Sequence, residues 1–406
     1  MKKFSYFLTL VLVLFFAVSC GDSKKEEKEK PDTDEISDEE PAETDGDAEP
    51  AETDGDAEEP ADDSDKEPAP EADPLKCEDF AEGLNENLFV GEGKNELARS
   101  FYLRLPENVD SMEKVPVIFI YHGYGDTAKN FERLLSGYVN NETMPFILVT
   151  PESRDDIYGF DFTNFPPAGL EWDMMNLKDG SAEGDMFDAV LSCLEKRWNI
   201  DEKHIHVSGF SAGAITANSL GLQKPEKIAS ILSYSGAYFS DEKSLDALGD
   251  IYGMKIGDFF SWPEFAEGHT KYPQVFVYGD KEADSWSISG IFTIYFNQMG
   301  RLGAGYLSKN GHDAILCDHG VEDHTIAGIM EKDLIKFFHD HPFGTVESPY
   351  REEMPENFAE ICHFFTEEDL VDEEEPEEND DTDTNPEEPE IPDIPEEDCL
   401  WLRCSN

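Results

Sequence analysis

The stretch HIHVSGFSAGAITANSL, residues 204–220, decides how this chain folds. Apolar and β-branched residues run up to Val207. Then Gly209-Phe210-Ser211-Ala212-Gly213 packs small residues around one serine, and a helix-forming run follows. Gly-x-Ser-x-Gly alone is a weak signal, because Gly, Ser and Ala also fill ordinary turns between a strand and a helix. At the junction of a strand and a helix it acquires a physical meaning. The sharp turn lifts the serine hydroxyl above the sheet, and side chains at the flanking positions would clash. The helix also points its N-terminal amides at a developing negative charge. Ser211 is therefore a candidate nucleophile, and a nucleophile makes demands on the rest of the chain.

Around this stretch, residues 77–345 alternate apolar runs with amphipathic ones. Strands are expected at 98–105, 115–121, 145–150, 204–208, 228–234, 273–278 and 313–318. Helices are expected at 127–139, 184–198, 211–222, 287–301 and 325–339. Several strands, VPVIFIY at 115–121 among them, are continuously apolar, as parallel strands buried on both faces are. Alternating strand and helix predicts the α/β class: a doubly wound, mostly parallel sheet in a single domain.

A serine hydroxyl is a poor nucleophile until a base takes its proton, so a histidine is required, held in turn by an acid. In the α/β-hydrolase fold the chain order is Ser, then Asp or Glu, then His. His319 and His324 follow the strand that ends near Asp318. His324 directly precedes the last helix and is the favoured base, with His319 the alternative. The acid should follow the strand within QVFVYGDKEADSW, where Asp284, Asp280 and Glu282 are candidates. Asp284 is favoured, because the loop must leave the strand before its carboxylate can turn toward the histidine. Asp280 can instead cap the turn after Gly279. After strand 115–121 comes YHGYGDTAKNF, a small-residue turn into a helix. It places the Tyr124 amide, with that of Ala212, as an oxyanion hole. His122 lies before Ser211 in the chain and is assigned a structural role.

RSFYLRLP, VIFIYHGYG, WDMMNLKDGSAEGDMFDAV, NIDEKHIHVSGFSAGA, PEKIASILSYSGAY, VFVYGDKEAD and CDHGVEDHTIAGIMEKDLIKFF follow one another across residues 88–343. This succession resembles secreted polyhydroxybutyrate depolymerase-like and feruloyl or acetylxylan esterase-like serine esterases of the α/β-hydrolase fold. The resemblance implies hydrolysis of an ester in a polymer or polymer-attached acyl group, without metal or cofactor, with Ser211, Asp284 and His324 as the triad. Ala214 stands where many members have a second glycine. DHGVEDHTI is longer than the family's compact Gly-His turn, which keeps His319 open. Trp172, Trp286 and Tyr124, with Phe162 or Phe165, are candidates to line an acyl pocket, against a plain role as core or rim aromatics. The aromatic-rich segment 237–272 is read either as a lid or as a packed surface excursion.

The ends are of another kind. Met1-Lys2-Lys3, an apolar run from Phe4 to Val18, and Ala17-Val18-Ser19-Cys20 read as a lipoprotein-type signal peptide at 1–19 with lipidation at Cys20. The apolar run is shorter than the roughly 20 residues a membrane span needs. Residues 21–74 hold 25 acidic and 5 basic residues, and PAETDGDAE occurs in tandem at 41–49 and 50–58. Ile36 is their only branched aliphatic residue. Such a segment cannot bury enough apolar surface to offset its chain entropy, so 20–76 is expected as a disordered acidic stalk. A short extension at 346–370 and an acidic tail at 371–406, ending in Cys399 and Cys404, complete the organisation.

The whole chain carries −61. Residues 75–350 alone have 44 acidic and 22 basic residues, a field that excludes nucleic acid or anionic lipid as a general partner. Membrane contact is expected only through the N-terminal lipid. Six cysteines after Cys20 suggest disulfides in an exported chain, and no Cys/His spacing looks like a metal site. The expected protein is an exported serine carboxylesterase, held at the cell surface or outer membrane or else secreted or periplasmic. The alternatives are a serine peptidase of related fold and a catalytically inert binding module on the same scaffold.

Overall fold

The computed structural model describes residues 77–90, 97–154, 160–161, 168–169, 171–178, 180–251, 254–288 and 292–370. By its internal contacts the chain divides into residues 1–67 and 68–406, and every described residue belongs to the second unit. The expected signal peptide, Cys20, the whole stalk to residue 76, Phe162, Phe165 and the acidic tail with its Cys pair lie outside the described residues.

Nine strands form one sheet: β1 (Gly83–Val90), β2 (Leu97–Arg104), β3 (Val115–Tyr121), β4 (Ile147–Pro151), β5 (Ile200–Phe210), β6 (Ser230–Tyr234), β7 (Gln274–Tyr278), β8 (Ala314–Asp318) and β9 (Cys362–Phe364). Their spatial order is β1-β2-β4-β3-β5-β6-β7-β8-β9. From β4 to β8 every neighbour is parallel. β1 and β2 at one edge and β9 at the other run antiparallel. All residues of β3, β4, β6 and β7 are buried, as strands covered on both faces must be.

The two-residue period of a strand divides this apolar content between two cores. Val117, Phe119, Tyr121, Ile231, Phe276 and Leu316 face one, whereas Ile118, Ile120, Leu232, Val275, Val277 and Ile315 face the other. The helices are α1 (Ala128–Leu135), α2 (Ala182–Arg197), α3 (Ala212–Gln223), α4 (Glu242–Asp246), α5 (Phe296–Lys309), α6 (Glu331–Asp340) and α7 (Glu356–Ala359). α3 is buried from Ala212 to Leu222, which explains why it holds no charged residue. None of the described helices is long and apolar enough to cross a membrane.

Two expected helices are displaced. The first part of the expected helix 287–301 is replaced by strand: Ser285–Ile288 pairs antiparallel with Phe292–Tyr295, and α5 begins only at Phe296. The alternation in SWSISGIFTIY, broken by Ser289-Gly290, is a hairpin pattern. The helix expected from 325 is α6 and starts at Glu331, after Gly328 at φ 78°. The extension 346–370 is joined to the domain, since β9 completes the sheet and Cys362 forms a disulfide with Cys317 on β8. A second disulfide ties Cys77 to Cys193 of α2. The excursion 237–272 is anchored by the buried side chains of Phe239, Ile256, Trp262 and Tyr272.

Candidate active site

β5 ends at Phe210 and α3 starts at Ala212, so Ser211 is the joint between them, with φ 55° and ψ −121°. Backbone strain of this kind costs on the order of 1–3 kcal/mol and persists where the surroundings enforce it. The glycines on either side are part of that enforcement. A Cβ on Gly209 would sit 2.4 Å from the Gly213 carbonyl oxygen, and one on Gly213 would sit 2.2 Å from that of Tyr121. Elsewhere in the molecule a hydroxyl at a helix start caps it: Thr127 accepts from the Asn130 N–H and Ser181 from the Gly184 N–H. Ser211 makes no such bond. Its hydroxyl is not engaged by the helix it introduces.

Downstream of β7, the carboxylate of Asp280 accepts the N–H groups of Glu282 and Ala283, and its carbonyl accepts that of Asp284. Asp280 and Glu282 are exposed, while Asp284 is fully buried. Asp284 Oδ1 lies 2.7 Å from His324 Nδ1. Its Oδ2 accepts the Gly279 N–H at 2.8 Å and the Ser235 hydroxyl at 2.9 Å. A carboxylate removed from water needs such donors to replace its lost hydrogen bonds.

The His324 ring stacks on Phe210 and on Phe296, each at 4.6 Å between centroids. Phe210 is the residue before Ser211, so the base candidate packs on the chain neighbour of the nucleophile candidate. With Nδ1 toward Asp284, the Nε2 edge is the one left for chemistry. His319 is differently placed. Its Nδ1 accepts the Val321 N–H, which puts the proton on Nε2, and that atom is buried without a partner. Burial pushes its pKa down. The structure joins Asp284 to His324, and not Asp280, Glu282 or His319.

The turn after β3 lies against the nucleophile, since a Cβ on Gly123 would be 3.4 Å from that of Ser211. Ala212 is the first residue of α3, so its N–H has no acceptor within the helix. The turn that carries Tyr124 is braced from behind. His122 is fully buried, its Nδ1 donates to the Gly123 carbonyl at 2.9 Å, and its Nε2 accepts the Ser153 N–H. Trp172 Nε1 donates to the His122 carbonyl, and the Gly125 N–H donates to Glu171. Trp172 is wholly buried, so it supports the turn from below and does not line an acyl pocket. Trp286, half-buried on the hairpin after Asp284, stands edge-on to Tyr124 at 6.2 Å. Sequence reasoning missed Ser235 and Glu171. Both act through long-range contacts, and neither sits in a recognisable motif.

A cleft of about 850 Å³ lies between the 239–265 excursion and the end of α5, and none of Ser211, Asp284 or His324 lines it. Among the described residues no group of three or more His, Cys, Asp or Glu is placed to hold a metal ion.

Residues 108–248, which include the turn after β3 and Ser211, match the phospholipase/carboxylesterase family of α/β-hydrolases. No curated protein matches the sequence. Among solved structures, a complex of a serine variant of the protein pOPH is similar with a TM-score of 0.55 at 16% identity, over 74% of this chain and 99% of that one. Native pOPH gives 0.54 at 15% identity over 73% and 98%. Native sOPH gives 0.53 at 16% identity over 71% and 96%. At such identities the structures speak for the fold, and the family match speaks for the chemistry of the nucleophile segment. Together they make this chain a serine ester hydrolase of the α/β-hydrolase fold.

Proposed function

We propose that the protein is an exported, lipid-anchored serine carboxylesterase that hydrolyses polymer or polymer-attached esters through Ser211, His324 and Asp284. The observation that carries the mechanism is the 2.7 Å contact between buried Asp284 and His324, whose ring rests on the residue next to Ser211. His324 Nε2 takes the Ser211 proton as Oγ attacks the ester carbonyl. The amides of Tyr124 and Ala212 hold the oxyanion, and Asp284 stabilises the imidazolium. His324 then protonates the departing alkoxide, and water repeats the sequence to release the acid. The polymeric substrate class rests on the resemblance to depolymerase-like and feruloyl or acetylxylan esterase-like enzymes, and on a rim formed by Tyr124 and Trp286.

Labelling with a fluorophosphonate probe tests the mechanism: wild type is expected to label and Ser211→Ala is not. Labelling that persists in Ser211→Ala would overturn it. A panel of short-chain polyhydroxyalkanoate, feruloyl and acetylxylan esters beside matched peptide amides tests the substrate class, and turnover of the amides alone would point to a peptidase. Anchoring is tested by detergent-phase partition of wild type against Cys20→Ser, with the wild type expected in the detergent phase. Recovery of wild type wholly in the aqueous phase would exclude the lipid.

A further inference from the structure

β5 and β6 are parallel neighbours, with Phe210 opposite Tyr234 at their ends. Each strand is followed at once by a serine at positive φ: Ser211 at 55° and Ser235 at 49°. The two joints are linked, because the Ser211 N–H donates to the Tyr234 carbonyl at 2.9 Å. The Ser235 N–H donates onward to the Val277 carbonyl at 2.7 Å. A left-handed conformation is strained for any residue with a Cβ, and a glycine would adopt it freely. At Ser211 the strain accompanies the nucleophile. At Ser235 the side chain is 1% exposed, so it meets no substrate. Its Oγ donates to Asp284 Oδ2 at 2.9 Å.

We propose that Ser235 is a positioning residue of the esterase reaction: its hydroxyl, with the Gly279 N–H, fixes the plane of the Asp284 carboxylate so that Oδ1 faces His324. This rests on the triad reading given above. The Gly279 N–H alone holds Oδ2 at one point, about which the carboxylate can still swing. A second donor 2.9 Å away removes that freedom. Because Oδ1 sets the tautomer and direction of the imidazole, the error of a loose carboxylate reaches Ser211 through His324. The serine at φ 49° is therefore held for its hydroxyl and not for its backbone.

The test compares Ser235→Gly, which removes the hydroxyl and the strain together, with Ser235→Ala, which removes the hydroxyl alone. Ser211→Ala is the reference. Each is assayed for kcat and KM on a soluble short-chain ester, for melting temperature, and by proton NMR for the downfield signal of the proton between His324 Nδ1 and Asp284. One lost hydrogen bond to a charged group predicts a fall in kcat of about tenfold in both variants. KM should stay nearly constant and the downfield signal should shift or vanish in both. Ser235→Gly should melt no lower than wild type.

Wild-type kcat with an unmoved signal in Ser235→Gly, beside an inactive Ser211→Ala, would overturn the role of Ser235 and leave the triad intact. Activity losses that follow melting temperature across the two variants, with the signal in place, would also overturn it by making Ser235 merely structural. Full activity in Ser211→Ala would remove the triad, and the proposal with it.

Discussion

The two halves of the candidate site are held by different physics. The nucleophile half is local. Ser211 is fixed by the meeting of β5 and α3, by two glycines that cannot carry a Cβ, and by a neighbouring turn at Gly123. The acid–base half is assembled from afar. Asp284 and His324 stand 40 residues apart in sequence, and a third partner, Ser235, lies 49 residues from Asp284. Aromatic faces from β5 and α5 close on the histidine. Backbone sterics therefore place the nucleophile, while side-chain contacts between elements place its partners.

The sharpest way to break this comparison is the histidine pair. His324→Ala should lower kcat on the order of 10⁶-fold, since triad members act as a unit. His319→Ala should retain most activity, because its Nδ1 is taken by the Val321 N–H and its Nε2 is buried without a partner. Steady-state assays on a soluble ester at matched melting temperature decide between them. An inactive His319→Ala beside an active His324→Ala would move the base and leave the nucleophile half untouched.

A smaller loss is expected at the carboxylate. Asp284→Asn should cost on the order of 10⁴-fold in kcat, because an amide facing Nδ1 favours the wrong tautomer. Asp280→Asn, which alters only a turn cap, should stay within a few-fold of wild type. Equal losses in the two variants would show that the loop 279–285, and not one carboxylate, is what the reaction needs.

The long-range ties can be cut without touching the triad. The Asp318 N–H donates to the Ile361 carbonyl, and Ile361 packs where Gly328 lacks a side chain. The loop that carries His324 therefore leans on β9, and the Cys317–Cys362 disulfide holds β9 in place. Replacing both cysteines by alanine should cost roughly 4 kcal/mol of stability by loop entropy, read as a lower denaturant midpoint. Reduction of the wild type opens Cys77–Cys193 as well, so its midpoint should fall further than that of the variant. An unchanged midpoint would show that β9 holds its edge by pairing alone.

The smallest effect concerns pH. Burial pushes His206 well below its ordinary pKa, His341 down to about 4 and His312 down to about 3. Each takes up its proton near pH 6.5 when unfolded but far lower when folded, so the unfolded state binds more protons in between. Stability should be complete above about pH 6.5 and fall as pH drops toward 4, with His341 alone contributing up to about 3 kcal/mol. Melting temperature against pH measures this, and His341→Asn should flatten the slope if the fold tolerates it. An acid slope unaltered in that variant would assign the loss to other groups.

The strand-to-helix joint at Ser211 was legible because steric demand leaves a mark in sequence: Gly209 and Gly213 flank the serine and an apolar run precedes it. The parallel sheet was legible for a similar reason, since strands buried on both faces must be apolar at every position. The paired strands Ser285–Ile288 and Phe292–Tyr295 reach into the stretch 287–301 expected as helix, although the alternation and the Ser-Gly step carry a hairpin signal.

Residue type and order by themselves determined the α/β sheet and the glycine-flanked joint at Ser211, because these follow from local sterics and periodicity. Residue order favoured Asp284 but left Asp280 and Glu282 open; the tertiary structure set Asp284 against His324, placed His324 between Phe210 and Phe296, buried Trp172 beneath the turn, and brought Ser235 to the carboxylate. Those choices depend on which side chains meet across strands and loops far apart in the chain. A carboxylate or an imidazole reads the same in sequence whether it is buried against a donor or left in water.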